Sequence, residues 1–143
     1  MAIVAPISLS LVGSALDAGG IRHVPDDDGD LKITFSREKG KDVTYFVFGS
    51  ATEQGFLSSL ALVHRYFKED REAYLIRFCN TWNRERRMPR AYVVGPDDDG
   101  DYTVRLDMQI LCSTGVTEDF VLENLTFFIT GAILFWDELD EVT

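Results

Sequence analysis

The chain predicts an α+β domain: a helix, four antiparallel strands, a second helix, two strands and a final helix. Three observations lead there. Apolar residues recur at three- and four-residue steps around Leu9, around Leu75 and after Thr117, the spacing of one helix face. Apolar and polar residues alternate from Leu31 to Ser36 and again after Tyr102, the spacing of a half-buried strand. The hexapeptide PDDDGD occurs twice, at residues 25–30 and 96–101, each time between strand-like runs, where Asp-Gly is a hairpin signal. Runs of strands flanked by helices make a layered α+β fold.

Each element follows in order. Pro6 opens the first helix, because its missing N–H costs nothing in the first turn. Leu9, Val12 and Leu16 form its stripe, and Gly19-Gly20 end it. Residues 21–24 predict a short strand and residues 26–30 a turn. Leu31, Ile33 and Phe35 then alternate with Lys32, Thr34 and Ser36. Residues 37–42 read as a charged loop, 43–48 as a β-rich third strand, and 49–55 as a break. Residues 56–67 fit two patterns. Leu57, Leu60 and Val63 suit a helix, whereas Leu60, Leu62 and His64 alternate against Ala61, Val63 and Arg65. The run is short and the preceding strands need a partner, so a strand is expected.

Glu69 or Asp70 caps the second helix, on which Leu75, Phe78, Cys79 and Trp82 share a face. Arg84, Arg86 and Arg87 crowd its last turn, where cations complement the helix dipole, and Pro89 ends it. Residues 91–94 and 102–112 are strands around the second acidic turn. Val104, Leu106, Met108 and Ile110 share one side of the longer strand. Gly115 closes the sheet. Thr117 and Glu118 open a helix running to about Leu139, with more apolar residues than one face can hold.

Size and charge set the class. The 143 residues form one domain, 1–143, with no linker, long enough to bury roughly 70% of the unfolded surface. A net charge of -10 repels phosphate backbones and anionic lipid surfaces, so neither nucleic acid nor membrane is expected as a partner. Cys79 and Cys112 lie in apolar surroundings and lack metal-ligand spacing, which predicts buried free thiols in a reducing cytoplasm. The apolar N-terminus lacks the basic region of a signal peptide. The apolar stretch 120–136 is interrupted by Glu123, Asn124, Thr126, Thr130 and Gly131, and a membrane span would be longer and cleaner.

No catalytic set emerges. The acidic repeats fail the calcium-loop pattern: counting from Asp26, position 6 is Leu31 and position 12 is Arg37; counting from Asp97, they are Tyr102 and Met108. His23 and His64 stand alone among strand residues, and no nucleophile comes with a base. No cofactor or metal is expected. Asn80 and Asn83 either form a polar recognition pair or anchor the following loop through backbone bonds, the second being favoured. The basic cluster of Arg84, Arg86, Arg87 and Arg90 is either a solvated helix end or a dock for a carboxylate-rich partner.

Several pieces together resemble the YbjN family of putative bacterial sensory-transduction regulators. They are Cys79-Asn80-x-Trp82-Asn83, Pro89-Arg90-Ala91-Tyr92, Asp97-Asp98-Asp99-Gly100, Gly115-Val116-Thr117 and Phe135-Trp136-Asp137-Glu138-Leu139-Asp140-Glu141. The resemblance runs from Gly19 onward and departs at Arg86-Arg87-Met88. It implies a fold similar to type III secretion chaperones and transfers no catalytic residues.

These readings converge on a non-enzymatic, cytoplasmic regulatory or chaperone-like protein that binds another protein in a stress or signalling response. The alternative is a sensor with a small-ligand pocket between sheet and helices. A homodimer is expected, since Phe120, Phe127, Leu134 and Phe135 exceed what one helix face can bury and secretion chaperones are commonly dimers. The candidate partner-binding residues are Arg86, Arg87, Arg90, Phe127, Leu134 and Phe135.

Overall fold

The computed structural model describes residues 3–36, 44–51 and 54–143. Helix α1 (Leu9–Ala18) is followed by strands β1 (Val24–Pro25), β2 (Leu31–Ser36), β3 (Thr44–Ala51) and β4 (Phe56–Val63). A 3-10 turn (Glu69–Arg71) leads into α2 (Glu72–Glu85); then come β5 (Arg90–Val94), β6 (Thr103–Leu111) and α3 (Glu118–Val142). The expected element order and the α+β class are both observed.

The six strands form one antiparallel sheet in the order β1-β2-β3-β4-β6-β5. Strand β4 pairs with β3 before it and with β6, which follows only after α2 and β5 (Phe46↔Leu62 on one side, Leu57↔Ile110 on the other). Alternation assigns the two sides of the sheet. Leu31, Ile33, Leu57, Ala61, Val63, Ala91, Val104, Leu106 and Met108 point inward and are buried. The helices cover that side. On α3, Val121, Leu125, Phe128, Ala132, Phe135, Trp136 and Leu139 complete the core.

Aromatic rings bind the helices together. Phe135 meets Phe78 and Trp82 edge-on at centroid distances of 5.3 and 5.2 Å, and Trp136 stacks on Phe67 at 6.4 Å. Helix α3 also runs close against the turn after α2. A Cβ on Gly131 would lie 2.6 Å from Pro89 Cδ, so glycine permits this approach. By length and composition α3 could cross a membrane. In this fold one of its faces is the centre of the core.

Boundaries differ from expectation where a local interaction outcompetes propensity. Helix α1 begins at Leu9, because the Ser8 hydroxyl accepts the Leu11 amide. Pro6 stays outside, and Ala5 instead exchanges two backbone bonds with Val116. The Ile21 amide bonds Leu16 at the end of α1, so the first strand shrinks to Val24–Pro25. Strand β3 continues through Gly49, where a break was expected, because Gly49 pairs with Leu31 and Ser59. Residues 56–67 are a strand only as far as Val63. The charged loop at 37–42 lies outside the described residues.

Candidate functional site

Two surfaces gather the residues with functional potential: the outer side of α3 and the side of the sheet opposite the helices. On α3 the Thr117 hydroxyl accepts the Phe120 amide and starts the helix. From there Phe120, Phe127 and Leu134 follow at seven-residue intervals, and they remain 38%, 51% and 39% exposed. Seven residues are two helical turns, so the three form one stripe. Asp119, Glu123 and Glu141 are exposed beside it. Helix α3 carries seven Asp or Glu residues and no Lys or Arg, so the stripe lies in a strongly negative field.

Phe135 does not belong to this surface. It is fully buried against Phe78, Trp82 and Trp136. One residue along a helix is a rotation of 100°, which carries Phe135 from the exposed side of Leu134 into the core. The expectation that it binds a partner is corrected accordingly.

The basic cluster divides in the same way. Arg86 pairs with Glu138 and lies 5.4 Å from the centroid of the Trp82 ring. Arg90 grips Asp107 with two bonds of 2.8 and 2.6 Å and covers Tyr92. Arg87 is exposed at the turn, with a φ of 70°. Asn83 is a loop anchor: its amide donates to the Ala91 carbonyl and its oxygen accepts the Ala91 amide, at 3.0 and 2.9 Å. Trp82 Nε1 donates to the Pro89 carbonyl at 2.8 Å.

The acidic repeats share one hydrogen-bond pattern. Asp26 Oδ1 accepts the amides of Asp28 and Asp30, and Asp97 Oδ1 accepts those of Asp99 and Asp101. Gly29 and Gly100 close the two turns at φ of 84° and 77°, a region that favours glycine. Asp97, Asp99 and Asp101 could offer a cation three oxygens within 4.8 Å of one another. Asp97 and Asp101 are already engaged, by backbone amides and by Lys68 at 2.7 Å.

The layer between sheet and helices is filled by buried side chains, whereas a cleft of about 670 Å³ opens on the opposite side of the sheet. Leu62, Val94 and Arg105 line it, with His64, Tyr66 and Pro96. Among the described residues this cleft thus lies on the outer side of the sheet, whereas a ligand pocket was expected between sheet and helices. A signal for it lay in β4: small Ser59 and Ala61 point inward, and the larger Leu60 and Leu62 point outward. Sequence reasoning also missed Asp140, which is buried at the end of α3 and paired with Arg65.

The family model for YbjN, "Putative bacterial sensory transduction regulator", matches residues 8–141. The chain belongs to the YbjN family. Its fold is similar to the crystal structure of YbjN from E. coli, described as a putative transcription regulator, with a TM-score of 0.61 at 13% identity over 90% of this chain and 84% of that one. At that identity the likeness shows the fold alone. No curated protein sequence matches.

Proposed function

We propose that this protein is a non-enzymatic cytoplasmic regulator that works by holding another polypeptide against the outer side of α3. The observation that carries this reading is the seven-residue stripe of Phe120, Phe127 and Leu134, exposed on a helix whose other side is core. Large apolar side chains grouped on a surface mark interaction sites. The carboxylates around the stripe define the partner: an amphipathic helix with apolar anchors and Lys or Arg at its flanks. A second copy of this chain would bring the same carboxylates to the seam, so charge favours a different, basic partner over self-pairing.

The thiols support a binding role over a catalytic one. Burial pushes the Cys79 thiol up to about 12, and Cys112 is also raised by burial. Neither is suited to act as a nucleophile. Two buried free thiols also suit a reducing compartment.

The test compares the wild-type protein with Phe127→Ser/Leu134→Ser, as bait and in light scattering. A supporting result is a basic protein held by the wild type, lost from the double variant and released by high salt. Identical capture by both baits overturns the reading. A wild-type dimer that the double variant breaks into monomers assigns the stripe to self-association instead.

A further inference from the structure

The side of the sheet opposite the helices carries an inference independent of α3. Its cleft of about 670 Å³ is within the range that accommodates small organic ligands. Leu62 and Val94 give it an apolar lining, and Tyr66, 53% exposed, adds an aromatic wall. Two cations stand in this lining, Lys32, which has a partner of its own, and the Arg105 guanidinium, in a chain of net charge -10.

The charges around the cleft are not equivalent. Nearby, Arg90 is gripped by Asp107, and Lys68 by Asp101. Asp97 accepts two backbone amides. The Arg105 side chain makes no ion pair among the described residues, and its Nε is buried without an acceptor. A guanidinium partly removed from water gains most from a carboxylate, which matches its fork of donors. A bare inorganic anion would leave the apolar lining uncovered, and a neutral apolar molecule would leave the guanidinium unanswered.

We infer that this cleft binds a small organic carboxylate with a flat apolar body, the carboxylate on Arg105 and the body between Leu62, Val94 and Tyr66. The test uses naphthoate, with neutral naphthamide of the same shape as control, followed by calorimetry and backbone amide resonances. Naphthoate is expected to shift the amides of Leu62, Val94 and Arg105 and to bind roughly tenfold or more tighter than naphthamide. Arg105→Gln should erase that preference, Arg105→Lys should retain part of it, and Tyr66→Ala should weaken both compounds alike. Phe127→Ser/Leu134→Ser should bind naphthoate as the wild type does, which separates this site from the partner surface. Equal affinity for the two compounds, a preference that survives in folded Arg105→Gln, shifts confined to α3, or no binding at about 10 mM each overturns the inference.

Discussion

Trp82 performs two tasks with one side chain: its ring closes the aromatic cluster with Phe135, and its N–H holds the Pro89 carbonyl. Trp82→Ala removes both and should cost about 3–5 kcal/mol in denaturant unfolding. Asn83→Ala strips two bonds from Ala91 and should cost about 1–3 kcal/mol, with helix content unchanged by circular dichroism. The helical spacing of Leu75, Cys79 and Trp82 made the buried face of α2 legible in the sequence. The fates of the arginines were not legible, because Glu138 and Asp107 reach them from distant parts of the chain. The thiols lead to a further expectation. With Cys79 at about 12 the reactive thiolate is scarce, so a disulfide reagent at mildly alkaline pH should leave Cys79 unmodified in the native protein and label it rapidly in denaturant.

At the scale of elements, the two acidic turns show one local sequence choosing one local geometry twice. Each uses its first aspartate to hold its own backbone, which is why PDDDGD could be read as a turn without tertiary information. Calorimetric titration with calcium should accordingly show nothing tighter than about millimolar. The first turn carries a pH signature. Desolvation, with the neighbouring Asp26 and Asp28 carboxylates, raises the Asp30 carboxyl above its usual value. The folded state therefore holds that proton more tightly than the unfolded chain does. Ionised Asp30 opposes folding at neutral pH, and the penalty is relieved as pH falls through its raised value. Asp30→Asn should raise the thermal midpoint at neutral pH, and the difference should fade below the ordinary aspartate range. The sequence was less informative where an element ends. Ser8 displaces Pro6 as the start of α1, and the Ile21 amide turns back to α1 rather than joining the sheet. These outcomes depend on which competing hydrogen bond the folded chain can complete.

For the whole molecule, the class and order of elements were legible because hydrophobic period and turn chemistry are local signals. The insertion of β6 between β4 and β5 was not, since pairing between distant strands leaves no local mark. The orientation of α3 was half legible. Its apolar excess predicted an uncovered side, but only its packing shows that Phe127 and Leu134 lie there and Phe135 does not. That division is testable by stability alone. Phe127→Ser and Leu134→Ser should each change unfolding free energy by less than about 1 kcal/mol, the size expected for surface substitutions. Phe135→Ala should cost about 3–5 kcal/mol.

The late arrival of α3 also bears on how the protein is made. Strands β2, β3 and β4 can pair soon after they are synthesised, because each is joined to the next by a short connection. Helix α1 can cover part of their inner side, but Leu57, Ala61 and Val63 are not fully enclosed until α3 is translated after β6. A ribosome therefore holds a nascent meander with one incompletely covered greasy side for much of the elongation time. Stalling before residue 118 should leave a chain that sticks to chaperones and is open to proteases, and completion of α3 should end both.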